Sequence, residues 1–140
     1  FAYALNDLSA ALNTAYYIVA APEGWLPPSL LPMLAFLITG FIAFSTGPSW
    51  GTYAIMIPIA VPLAFNFSGD ELNTMVYATL AAVAGGGVFG DHCSPLSDTS
   101  ILASTGAASD HIDHIKTQLP YAALIGLISV GLYLVIGFSL

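Results

Sequence analysis

The chain has 140 residues, of which 57% are hydrophobic and only 6% charged. A soluble domain carries about 25% charged residues, so this composition excludes a water-exposed surface and implies an integral membrane protein. The net charge of −7 sets eight carboxylates against one cation, Lys116, which excludes nucleic acid as a partner and leaves the lipid bilayer as the surroundings. The single Cys93 excludes an internal disulfide and a thiolate metal cluster.

The first apolar stretch, Phe1 to Ala21, has no basic start and no small-residue cleavage site, so it is not a signal peptide. Asn6, Ser9 and Asn13 fall on one helical stripe that Asp7 and Thr14 widen, with Leu5, Leu8, Leu12 and Ala15 opposite. A polar stripe of this kind faces a bundle interior or a wet cavity. Pro22 to Pro28 reads as an interfacial turn, with Trp25 suited to the headgroup region. Pro28 to Phe67 is too long for one simple helix and is interrupted by Ser45-Thr46-Gly47-Pro48-Ser49-Trp50-Gly51-Thr52. Proline removes a backbone donor and clashes with the preceding turn, so Gly47-Pro48 breaks the helix. Each arm counts about 15 to 17 residues, short of the ~20 of a full span, which leans towards a re-entrant hairpin over two crossings.

Ser68-Gly69-Asp70-Glu71 has the Ser-x-x-Glu pattern of a capping box, predicting a helix from about Gly69 to Phe89. Within it, Gly85-Gly86-Gly87 allows close backbone packing. The run Gly90-Asp91-His92-Cys93-Ser94-Pro95-Leu96-Ser97-Asp98-Thr99-Ser100 then interrupts it, and Ser94-Pro95 reads as cap and first position of a helix reaching about Ala108. A polar loop, Ser109 to Gln118, leads to Pro120 and a last apolar helix, Tyr121 to Leu140. No linker separates domains. The chain opens on Phe1 within an apolar segment and closes at Leu140 without a polar tail. The expectation is therefore the C-terminal part, residues 1–140, of one membrane domain whose N-terminal part is missing. The fold class is all-α: a polytopic transmembrane helix bundle with discontinuous, broken or re-entrant, helices.

Ionisable groups at membrane depth are costly and mark ion paths or substrate sites. Broken helices supply such sites through freed carbonyls and helix ends. Na⁺ prefers hard oxygen ligands, and Asp91, Ser94, Ser97, Asp98 and Thr99 offer several within one break and one turn. A carboxylate there can hold Na⁺ when ionised and release it when protonated, which couples two cations through one site. Ser45, Thr46, Ser49 and Thr52 add neutral oxygens. Bland readings stand beside these. Asp98 can simply complement a helix start, Asp91 can bond free amides, and the Ser45 to Thr52 segment can be a proline-broken helix end with local capping. His92 suits a proton relay or a bond to a carbonyl, and Trp50 suits a water shield or plain packing. Cys93 is a packing residue. Asp110-His111-Ile112-Asp113-His114 is a weak metal spacing, better read as a structural loop or a proton-collecting mouth. Lys116 votes for a cytoplasmic side for this loop.

The run Val88 to Ser100, followed by Asp110 to Tyr121, resembles the NhaC-type Na⁺/H⁺ antiporter family, and Phe44 to Thr52 matches a second segment typical of it. Pro48 departs from the hydroxyl residue expected there, which removes one oxygen ligand. The resemblance implies a multi-pass protein of the cell membrane, not an enzyme and without a cofactor, exchanging Na⁺ for H⁺. Asp91 and Asp98 are then the shared carriers, Ser45, Thr46, Ser49, Thr52, Ser94, Ser97 and Thr99 the secondary ligands, and His92 the possible relay. Relatives that exchange organic acids such as malate and lactate make a cation-coupled carboxylate exchanger the alternative. A non-transporting membrane subunit, or a metalloenzyme built on His92, His111 and His114, are the readings outside transport.

Overall fold

The computed structural model describes residues 26–140 other than Asp70, together with Ala4, Asp7, Leu8, Ala11 and Leu12. The polar stripe and the interfacial turn expected before residue 26 therefore lie outside the described residues, apart from Asp7, which is helical and exposed. A 3₁₀ turn at Pro28–Leu30 leads into α1 (Leu31–Thr46), followed by α2 (Ser49–Phe67), α3 (Thr74–Cys93), α4 (Asp98–Gly106) and α5 (His111–Ser139). No strand occurs among the described residues. Three helical stretches, Pro28–Thr46, Ser49–Phe67 and His111–Ser139, are long and apolar enough to cross a membrane.

Side-chain packing fixes the directions of the helices. Leu31, at the start of α1, packs with Leu63 and Ala64 near the end of α2 and with Met75 and Val76 at the start of α3. One level on, Ala35 and Phe36 pack with Met56 and Ala60 and with Ala82 and Val83. Thus α1 and α2 are antiparallel, a hairpin with Gly47-Pro48 at its tip, and α3 runs parallel to α1. The returning helix of the bundle is α5: the rings of Tyr133 and Phe36 lie 5.5 Å apart, while Gly126 lies against Phe89. The α1–α3 contact is the most extensive in the bundle. A Cβ at Gly90 would overlap the carbonyl of Gly40, so only glycine fits.

Four boundaries differ from those read from the sequence. Each arm of the hairpin has 19 residues, about 28 Å at 1.5 Å per residue, and so reaches spanning length. The sequence count stopped short because it left the whole Ser45–Thr52 segment out of both arms, whereas Ser45 and Thr46 end α1 and Ser49 to Thr52 begin α2. Pro58 and Pro62 lie inside α2, where a membrane helix tolerates a lost donor. The capping box does not form. Gly69 (φ +69°) turns the chain out of α2, Ser68 Oγ donates to the Ala64 carbonyl at 2.7 Å, and Asn73 caps α3 instead. Asn73 Oδ1 accepts from the Met75 and Val76 amides at 3.0 and 3.4 Å.

At its other end α3 continues through Asp91 and His92 to Cys93, and Ser97 rather than Ser94 caps α4. Ser94 precedes a proline and is pushed to extended backbone (φ −78°, ψ 128°). Its Oγ accepts from the Leu96 amide at 3.1 Å, which makes Ser94-Pro95-Leu96 a local turn instead of a helix start. The polar stretch before Pro120 is helical as well. Asp110 Oδ1 accepts from the Ile112 and Asp113 amides at 2.9 and 3.1 Å, so α5 starts at His111 and carries Pro120 inside it. At 29 residues, about 43 Å, α5 exceeds the ~30 Å of hydrocarbon.

Candidate functional site

Both helix breaks fall at the same end of the bundle and touch. Gly47 has φ +95°, and a Cβ on it would lie 2.7 Å from the Leu96 carbonyl oxygen and 3.3 Å from the Ser97 amide nitrogen. The C-terminal ends of α1 and α3 therefore meet the N-terminal ends of α2 and α4, bringing carbonyl-rich and amide-rich helix termini to one point. Asp91 occupies that point. It is the single acidic residue of α3 and is 7% exposed.

Its carboxylate accepts from three directions. The Ser49 amide, first in α2, donates to Oδ2 at 3.2 Å, in place of the side-chain cap that Pro48 is unable to supply. Ser97 Oγ and Thr99 Oγ1 both donate to Oδ1, the latter at 2.6 Å. The Ser97 and Thr99 hydroxyl oxygens are themselves 2.7 Å apart, so Oδ1 and the two hydroxyls close a triangle with three edges. Each hydroxyl has one hydrogen. An ionised carboxylate leaves one edge without a hydrogen, and a proton on the carboxyl fills it. A cation near the triangle instead turns the hydroxyl lone pairs towards itself.

The remaining sequence candidates are placed as follows. Ser94 and Ser97 are buried, but Ser94 shapes the turn. Thr52 is buried at the hairpin tip, 3.4 Å from the Thr46 hydroxyl, while Thr46 donates to the Ile42 carbonyl at 2.9 Å. Ser45 is exposed and donates within its own helix to Phe41. Asp98 is exposed at the first position of α4, where its Oδ1 accepts from the Thr99 amide at 3.0 Å. His92 lines a groove of about 380 Å³ between α3 and α5, together with Gln118, Tyr121, Ser129 and Tyr133. Trp50 is 81% exposed and meets Tyr53 edge-on at 6.2 Å. No three His, Cys, Asp or Glu side chains converge among the described residues.

The sequence allowed Asp91 to bond free amides but did not single out that of Ser49, which was read only as an oxygen ligand. The signal was present: a helix restarting directly after Pro48 leaves its first amides free. His111, read within a structural loop or proton-collecting mouth, gave no sign of its partners, which are the Pro95 carbonyl and the Ser104 hydroxyl.

Three helices of membrane-spanning length, with two helix breaks meeting at a buried carboxylate, describe a multi-pass membrane protein. A sequence profile of the Na⁺/H⁺ antiporter family matches residues 1–138, and the chain belongs to that family. It is 44% identical over 99% of its length to an uncharacterised protein of Haemophilus influenzae, covering 26% of that protein. It is 34% identical to an arginine/ornithine antiporter of Halobacterium salinarum, over 81% of the chain and 22% of the relative. Against a malate-2H⁺/Na⁺-lactate antiporter of Bacillus subtilis it is 29% identical over 81% of the chain and 23% of the relative. The chain spans about a quarter of the length of these curated relatives. No solved structure matches it.

Proposed function

We propose that this chain is the C-terminal part of a secondary transporter of the NhaC type that exchanges Na⁺ for H⁺, working with the rest of a longer polypeptide. The observation that carries the reading is Asp91, buried where the two helix breaks meet and ringed by Ser97, Thr99 and the Ser49 amide. Asp91 takes either one proton or one Na⁺. Loss of the carboxyl proton to one side frees Oδ1 for Na⁺, with the Ser97 and Thr99 hydroxyls as further oxygen ligands. Ser94, Ser45, Thr46 and Thr52 contribute by shaping the two breaks. Asp98 adds a second negative charge at the exposed edge, and His92 passes protons along the α3–α5 groove.

The names of two relatives favour a second reading, a cation-coupled exchanger of organic acids or amino acids. Lys116 is exposed and lies 3.6 Å from Asp113 on its own helix, so a substrate carboxylate at Asp91 would need a cation from outside this chain. The experiment is the collapse of a preformed proton gradient in everted vesicles carrying the full-length protein. Collapse on adding Na⁺ alone supports cation/proton exchange. Collapse only with Na⁺ together with malate, lactate or an amino acid moves the second reading to the front.

A further inference from the structure

The run Asp110-His111-Ile112-Asp113-His114 finds no use in a metal site, yet His111 is fully engaged. It opens α5 and is half-buried. Its Nε2 lies 2.8 Å from the Pro95 carbonyl oxygen. A carbonyl only accepts, so Nε2 bears a hydrogen and donates it. The other nitrogen, Nδ1, lies 3.1 Å from Ser104 Oγ, a buried hydroxyl of α4 that also reaches the Ile101 carbonyl at 2.9 Å. One imidazole therefore joins α5, α4 and the turn between α3 and α4.

That turn carries the ligands. Pro95 stands one residue after Ser94 and two before Ser97, whose hydroxyl donates to Asp91. Of the turn's other bonds, those from the Leu96 amide to Ser94 Oγ and from the Ser97 amide to the Ser94 carbonyl stay within it, and that from the Ser94 amide to the Asp91 carbonyl ties only its first residue to the end of α3. The bond from His111 comes from a helix sixteen residues away in sequence and fixes where the turn points. Resting on the proposed ion exchange at Asp91, we infer that His111 is a positioning residue: its Nε2–H bond to Pro95 holds the Ser94-to-Ser97 turn so that the Ser97 hydroxyl stays on the Asp91 carboxylate.

The test uses four variants of the full-length protein and two measurements. Gln at position 111 carries an amide donor close to where Nε2 lies, Asn carries one closer to Nδ1, and Ala has none. Ser104→Ala removes the Nδ1 partner and leaves the Pro95 bond. His111→Ala and His111→Asn are expected to raise the Na⁺ concentration for half-maximal exchange about tenfold, with the maximal rate within about twofold of wild type. Both should also speed hydrogen exchange of the amides at 97–101. His111→Gln and Ser104→Ala should resemble wild type in both measurements. The inference is overturned if Gln behaves as Ala does, if Ala leaves both measurements unchanged, or if only the maximal rate falls. Amide exchange needs no transport, so a wild-type protein that fails to move protons with Na⁺ would refute the functional reading while the exchange data still decide the positioning role.

Discussion

Gly47 is the residue through which the hairpin tip and the α3–α4 turn are held together, and replacing it with alanine should loosen both. At φ +95° and ψ −81° an L-residue is strained by about 1–3 kcal/mol. Its Cβ would also stand 2.7 Å from the Leu96 carbonyl oxygen, adding an overpacking cost of about 1–3 kcal/mol. Together these give about 2–6 kcal/mol, relieved most easily by the tip moving away from the turn. That movement carries the Ser49 amide off Asp91, a bond to a charged group worth about 1.5–3 kcal/mol, or roughly a ten- to hundredfold loss of Na⁺ affinity. Gly51→Ala is the control. It lies in the first turn of α2, where a Cβ would meet nothing within 4 Å, and should be neutral or more stable by about 0.5–1 kcal/mol. The assay is thermal unfolding in detergent together with half-saturation for Na⁺ in vesicles. If Gly47→Ala matched Gly51→Ala in both, the contact between the two breaks would not be what sets the site.

Ser97→Ala removes one donor to Asp91 and the cap of α4, and should raise half-saturation for Na⁺ about ten- to a hundredfold. Combined with Thr99→Val the effect should be less than additive, because the two hydroxyls share one carboxylate oxygen. Asp98→Asn, at an exposed helix start, should shift Na⁺ affinity only severalfold, with the shift fading at high ionic strength, and proton coupling should survive. Asn73→Ala should lower stability by about 1 kcal/mol through loss of the α3 cap and leave Na⁺-driven proton movement unchanged, as read by unfolding and vesicle assays on the same preparation.

The helical class, the break at Gly47-Pro48 and the grouping of Asp91 with Ser97 and Thr99 were legible because each rests on local chemistry: apolar length, a proline, and polar residues close together in the chain. The helix ends were less so. Ser68 and Glu71 satisfied a capping pattern, but a positive-φ glycine between the helices sent the chain past it to Asn73. Pro120 read as the boundary before the last helix, yet it lies within α5, as Pro58 and Pro62 lie within α2, since tertiary packing outweighs one lost bond. Asp91 and Asp98 looked equivalent in the sequence. Their difference in burial comes from the meeting of α2 with the α3–α4 turn, a contact between residues more than forty apart in the chain. His111 was hidden for the same reason, because its partners are a backbone carbonyl and a serine on other elements.

The most direct measurement is Na⁺ binding to the purified full-length protein by titration calorimetry across pH, for wild type and Asp91→Asn. Competition of Na⁺ and one proton for Asp91 requires the wild-type dissociation constant to rise about tenfold per unit fall in pH through the acidic range where the carboxyl is protonated, with proton release on binding. Asp91→Asn should abolish both the pH dependence and the proton release. A wild-type affinity indifferent to pH, or an Asp91→Asn protein that still binds Na⁺ and releases a proton, would contradict exchange through this carboxylate.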